Sequence, residues 1–262
     1  MARGELESAA IQSGPASVLS IDVVLECGDL PRPAKNNETK ERCVSGNYRT
    51  IFITGGTGYM GSQLIPRLLL RGHKVRALVR PDSEKKLSAG CEAVSGDALD
   101  GASYANRVSP ADTFVQFVGV SHPSPAKAAE FRRVDLASAL GAVAAAKSAG
   151  IGHFVYLSVA HPAPMMHAYI AVRSQCEAAI EQAGLNATIL RPWYVLGPGH
   201  RWPYLLLPIY KLAELLPATR DGARRLGLVT LEQMINALTV AVENPAQGIR
   251  VMSVPEIRAA RV

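Results

Sequence analysis

The stretch Thr54-Gly55-Gly56-Thr57-Gly58-Tyr59-Met60-Gly61 decides how the rest of the chain is read. Its glycines 55, 58 and 61 are three residues apart. They follow the β-branched run Thr50-Ile51-Phe52-Ile53-Thr54 and precede a Leu-rich stretch reaching Leu70. Strand, glycine turn and helix together make a bare backbone against which a pyrophosphate can lie, facing the unpaired N–H groups of a helix N-terminus. A glycine triplet alone says little. Its place at a first strand-to-helix junction makes Gly55, Thr57, Gly58, Tyr59, Met60 and Gly61 candidates for holding a dinucleotide. The alternative is an inherited turn without a ligand.

Outward from that stretch, short β-branched runs alternate with Ala- and Leu-rich helical ones, the pattern of parallel β-α-β units. Strands are expected at Lys74–Arg80, Cys91–Val94, Thr113–Gly119, His153–Leu157, Ala187–Arg191 and Ile249–Val254. Helices are expected to Leu70, with Pro66 bending or weakening the first, and across Glu130–Gly150, Tyr169–Ala183 and Leu231–Val242. Thr230-Leu231-Glu232-Gln233 resembles a capping box opening the last of these. The fold class is therefore α/β, a Rossmann-type doubly wound parallel sheet. Residues 1–48 have the composition of a flexible extension, 49–193 form the nucleotide-binding domain, and 194–262 a small C-terminal substrate or lid region.

The 262 residues suffice for one substantial core but are short for two domains. Four scattered cysteines, Cys27, Cys43, Cys91 and Cys176, form no C-x-x-C pair, so neither a metal site nor a disulfide framework is signalled. The N-terminal residues carry Arg3, Glu5 and Glu7 where a secretory peptide would be apolar, and no stretch reaches about 20 apolar residues. The chain reads as soluble, with a reducing cytoplasm as its simplest home. Asn37-Glu38-Thr39 matches a glycosylation sequon by chance on that reading.

The net charge of +6 asks for an anionic partner, and its distribution narrows the choice. Residues 1–48 hold five Lys or Arg against seven acids, whereas 61–90 hold seven against two. No recognition helix or aromatic-basic interleaving supports nucleic acid. Arg80 closes the second strand, where an arginine suits the 2′-phosphate of NADP and an acid would suit NAD. Arg80, helped by Lys85 or Lys86, is thus expected to prefer NADPH over NADH; the two lysines read equally well as a solvated helix face.

The sequence resembles the short-chain dehydrogenase/reductase superfamily, in its extended and atypical NmrA-like or epimerase-like branch, over residues 49–254. The resemblance rests on residues 54–61, Arg71–Arg80, Gly96-Asp97, Ala149–Ser158 and Thr188-Ile189-Leu190-Arg191-Pro192. It implies Asp97 near the adenine, with Val118 and Gly119 along the cofactor path. It also implies a catalytic serine after the fifth strand and a Tyr-x-x-x-Lys on the next helix. Ser158, Tyr169 and Arg173 occupy those places, with arginine where the pattern has lysine. The helical spacing puts Tyr169 and Arg173 on one face. Guanidinium is a permanent cation, able to lower a tyrosine pKa and hydrogen-bond a ribose but unable to relay a proton. An asparagine of the pattern is also missing, because Val134-Asp135-Leu136 stands in its region. In the alternative, Ser158 caps, Tyr169 packs and Arg173 only binds cofactor.

The leading expectation is an NADP(H)-dependent oxidoreductase acting on a carbonyl or carbinol of an apolar molecule. Met165, His167, Trp193, Tyr194 and residues 200–209 would contact the substrate. His122 and His161 are weaker candidates in loops. A non-catalytic NADP(H) sensor or assembly factor is the alternative, kept open by the missing lysine. Membrane-surface contact through the apolar, Pro-punctuated 202–216 segment also stays open.

Overall fold

In the computed structural model, residues 48–198 and 220–262 are described. The expectations for residues 1–47 and for 200–216 lie outside them.

Phe52 of β1 (Thr50–Thr54), Phe114 of β4 (Thr113–Gln116) and Phe154 of β5 (His153–Leu157) stand side by side across three parallel strands. Their ring centres are 5.3 Å and 5.2 Å apart. Each such pair adds roughly 0.5–1.5 kcal/mol beyond the area it buries. Side chains alternate across a strand, so Ile51, Ile53, Val115 and Val155 point to the opposite face, where they are equally buried. Both faces are covered. That is why these strands read as unbroken apolar runs rather than as alternating ones.

With β2 (Lys74–Val79), β3 (Glu92–Ser95), β6 (Ala187–Leu190) and β9 (Ile249–Met252), they form one sheet in the order β3-β2-β1-β4-β5-β6-β9, parallel throughout. The phenylalanine face packs on α2 (Ala137–Ser148) and α3 (His167–Gln182). Ala139, Ala142, Ala145 and Ala146 are buried there, and their small side chains let α2 lie close to the sheet. The other face packs on α1 (Gly61–Leu70) through Leu64, Ile65 and Leu68, and on residues 231–243 and 254–259. α1 continues through Pro66, whose missing N–H removes one internal bond without ending the helix. This is the expected doubly wound α/β fold.

Several elements went unread in the sequence. A two-stranded parallel ribbon joins β7 (Tyr194–Leu196) to β8 (Leu228–Thr230), and α4 (Arg220–Arg225) precedes β8. α5 (Leu231–Glu243) opens on the expected capping box: Thr230 accepts from the Gln233 N–H while Gln233 reaches back to the Thr230 N–H. α6 (Val254–Ala259) opens on a second box, built by Ser253 and Glu256. The helix ahead of α2 is π-helical over Phe131–Leu136 and buries Phe131 and Asp135.

Candidate active site

The strand order reverses between β1 and β4, so the chain leaves their carboxyl ends in opposite directions and a crevice opens there. β4 ends at Gln116, three residues before the expected end; Phe117 still donates its N–H to Thr54 O at 3.1 Å, and Phe117–Gly119 line that crevice. Its first part is a cleft of about 390 Å3 lined by Gly55, Thr57, Gly58, Arg80, Ser83, Asp97, Val118 and Gly119, among others. Lys85 is exposed in a short turn and is not among the lining residues.

The glycines leave no space for side chains. A Cβ on Gly61 would stand 2.5 Å from the Gly55 oxygen and from the Gly56 Cα, and Gly55 has a left-handed φ of 75°. The loop closes through the Gly58 N–H to Gly55 O bond at 3.0 Å. The first turn of α1 carries no acidic residue and no side-chain cap; the Ser62 and Gln63 N–H groups bond Gly58 O and Met60 O, and the helix dipole favours an anion ahead of them.

A second cleft, of about 360 Å3, shares Gly55, Gly58, Phe117 and Gly119 with the first. It adds Tyr59, Met60, His122, Leu157, Ser158, Val159, Tyr169, Arg173, Trp193, Tyr194 and Val195. A third cavity, of about 370 Å3, lies on the other side of Tyr169 and is lined by Pro125, Phe131, Met165, Met166, His167, Ala168 and Tyr169. The structure thus brings Ser158, Tyr169, Arg173, Trp193 and Tyr194 together, and sets Met165 and His167 in the adjoining cavity.

Tyr169, Arg173 and Glu177 recur every four residues of α3, so they share a face. The Tyr169 ring packs against Phe131, with centres 4.9 Å apart. Arg173 is buried. Its Nη1 donates to Leu157 O at 2.8 Å and to the Tyr156 hydroxyl at 3.2 Å, and its Nη2 pairs with Asp135 Oδ1 at 2.5 Å. The Arg173 Cζ stands 5.0 Å from the Tyr169 ring centre. Loss of water pushes the Tyr169 phenol up; Arg173 draws it down, Asp135 opposes Arg173, and the balance lies above the ordinary tyrosine value. The pKa-lowering effect expected of Arg173 is present but outweighed.

Ser158 differs from the expected polarising serine in one chemical respect. Its Oγ donates to Glu177 Oε1 at 2.5 Å, so its only hydrogen is already engaged and its lone pairs are what remain. Glu177 in turn accepts from the Arg191 guanidinium, with His161 Nε2 at 3.5 Å. Asp135, Glu177 and Arg191 were missed as a group by sequence reasoning. The four-residue step from Arg173 to Glu177 was the available signal.

The residues fit a dinucleotide. The loop has no room for a Cβ at Gly61, and Arg173, which lines the second cleft, keeps its Nε buried without a hydrogen-bond partner among the described residues. A family model described as NAD(P)H-binding matches residues 55–200. The chain belongs to this NAD(P)H-binding family. It is similar to the ceramide reductase of Caulobacter vibrioides, 26% identical over 76% of this chain and 62% of that one. It is also similar to a Stigmatella aurantiaca ketoreductase, named for 4-hydroxy-2-methyl-3-oxo-4-farnesyl-3,4-dihydroquinoline-1-oxide, 27% identical over 56% of this chain. The chain spans about three fifths of the first relative and half of the second. Among solved structures, the Bordetella bronchiseptica enzyme WbmH in complex with NAD+ superposes with a TM-score of 0.59. Identity there is 23%, over 79% of this chain and 76% of that one, which establishes the shared fold. No described helix is long and apolar enough to cross a membrane.

Proposed function

We propose that this NAD(P)-binding protein is an NADP(H)-dependent oxidoreductase that reduces a carbonyl on an apolar small molecule. The observation that carries the reading is the continuity of the glycine-lined cleft with a second cleft whose wall holds Tyr169 directly above Arg173. Gly55, Thr57, Gly58, Tyr59, Met60 and Gly61 would hold the pyrophosphate, Asp97 would meet the adenosine, Val118 and Gly119 would line the path to the nicotinamide, and Arg173, in the wall of the second cleft, would lie on the ribose side. When bound, the dinucleotide supplies the hydride for the substrate carbon. Tyr169 gives its phenolic proton to the substrate oxygen as that carbon is reduced, and regains a proton from water. Leu157, Val159, Trp193, Tyr194 and Val195 enclose the oxygen-bearing end in apolar surface. Met165, Met166 and Phe131 offer further apolar room beyond the phenol. Residues 194–262 furnish part of the substrate side, and the cytoplasm is the proposed home. Two relatives are named for ceramide and for a farnesyl-bearing quinoline oxide, which favours an apolar substrate.

Arg80 is exposed and lines the first cleft, and its guanidinium makes no hydrogen bond or ion pair among the described residues, which favours a role in taking the 2′-phosphate. Lys85 or Lys86 would help only by moving toward it. Arg80→Ala is expected to cut NADPH affinity about tenfold while leaving NADH nearly unchanged, the scale of one lost hydrogen bond to a charged group. An unchanged NADPH/NADH ratio in a fluorescence titration would remove Arg80 from the proposal.

One observation favours a second reading, a non-catalytic NADP(H) sensor or assembly factor: the Ser158 hydroxyl is committed to Glu177. NADPH consumption with a panel of long-chain and aromatic ketones separates the two. Turnover that falls at least a hundredfold in Tyr169→Phe, with NADPH binding intact, supports the enzyme. Binding without turnover on any ketone supports the sensor.

A further inference from the structure

The π-helical segment places Asp135 opposite Arg173, inside the protein and under the second cleft. Side-chain exposure is 0% for Asp135 and 7% for Arg173. Asp135 Oδ1 takes Arg173 Nη2 at 2.5 Å, and Oδ2 accepts the Val120 N–H at 3.0 Å. The guanidinium is pinned from its other side by Leu157 O and the Tyr156 hydroxyl. Gly119 makes the approach possible, since a Cβ there would collide with Arg173 Nη2 and stand 2.9 Å from Asp135 Oδ1.

We propose that Asp135 is a positioning residue for proton transfer: by compensating and pinning Arg173, it keeps the Tyr169 phenol protonated as an acid, which suits reduction rather than oxidation. The inference rests on the reading of Tyr169 as proton donor. A lone buried cation one helical turn from a phenol would favour the phenolate, whereas an ion pair presents a dipole whose field weakens faster with distance. The groups that act on the phenol are Arg173 and Cys176 on α3 and Asp135 on the π-helical segment; Tyr156 on β5 meets Arg173, His122 lines the second cleft and His167 the adjoining cavity. Of these, Arg173 is the fixed cation and Asp135 the anion set against it. Glu177, one turn further along α3, is neutralised by Arg191. Loss of water is the first cause of the phenol's position above the ordinary tyrosine range; Arg173 draws it down and Asp135 pushes it up against Arg173.

The test follows tyrosinate absorbance against pH in the full chain, with the Tyr169 component identified as the one lost in Tyr169→Phe. Asp135→Asn removes the compensating charge and is expected to move that component down by about one pH unit or more. The double variant Asp135→Asn with Arg173→Lys, which restores the residue types of the superfamily pattern, is expected to move it likewise and keeps the test open if the single variant does not fold. Arg173→Lys alone, still paired with Asp135, is expected to leave it in place. An unmoved component in whichever Asp135→Asn protein folds, or an equal shift in Arg173→Lys alone, overturns the inference. NADPH-dependent ketone turnover retained in Tyr169→Phe would instead overturn the reading of Tyr169 as donor, whatever the titration shows.

Discussion

A methyl group on Gly119 would press into an ion pair that has no slack. Arg173 and Asp135 are both held by other bonds, so neither side chain swings aside at small cost. Gly119→Ala is expected to lower stability by about 1–3 kcal/mol, the range for overpacking a filled interior, measurable by urea unfolding. Replacing Asp135 alone leaves a buried guanidinium uncompensated, and the expected loss is larger, about 3–5 kcal/mol. At this scale the sequence was half legible. Tyr169 and Arg173 stood out through the resemblance, which implies a Tyr-x-x-x-Lys there, and the glycines stood out because a strand and a helix flank them. Asp135 and Glu177 did not, because their meaning lies in what the tertiary fold sets opposite them: a guanidinium across from one, a serine and Arg191 around the other.

Among the elements, the strands were legible because parallel strands buried on both faces read as plain apolar runs, and β1 and β5 have the bounds expected. β7 and β8 escaped because three residues are too few to show a period. The capping box ahead of α5 was legible because its residue types and spacing are local; Thr230→Ala is expected to lower stability by about 1 kcal/mol in urea unfolding. β5 also carries a hidden titration. Burial holds His153 down to about 4, with Arg49 adding to the effect, while Nε2 meets Thr188 Oγ1 at 3.0 Å. Its unfolded value is 6.5, so the unfolded chain takes up a proton first. Stability is full above pH 6.5 and declines as pH falls toward 4, by about 3 kcal/mol from this group. Thermal melts across that range should show the slope reduced in His153→Gln.

For the molecule as a whole, the flanking layer formed by α1 and α5 is tied together at one corner. Arg71, just after α1, donates to Glu243 at the end of α5 at 2.5 Å and 2.9 Å, and His73 Nε2 meets the same carboxylate at 3.1 Å. Burial pushes the Glu243 carboxyl up, but the Arg71 and His73 bonds outweigh it and hold it below its usual range. Its contribution is therefore complete above the ordinary carboxylate pKa and is lost as pH falls through the lowered one, a second acid liability beyond His153. The dinucleotide should act in the opposite sense: NADPH at a hundred times its Kd is expected to stabilise the chain by about 2.7 kcal/mol, read as a rise in Tm.

The all-parallel sheet order has a kinetic consequence. No strand of the sheet is joined to its neighbour by a hairpin, and β9 completes the edge beside β6 with Ile249 opposite Ala187. Every pairing therefore closes a long loop before any strand-to-strand bond rewards it, so folding should be slow for the chain's size. Until β9 docks, β6 presents an apolar row of unpaired backbone groups, a template for association between chains. The yield of refolded monomer should accordingly fall with protein concentration, and a charged substitution at the exposed Ile249, which would slow that docking least, should be tolerated far better than one at the buried Ile189.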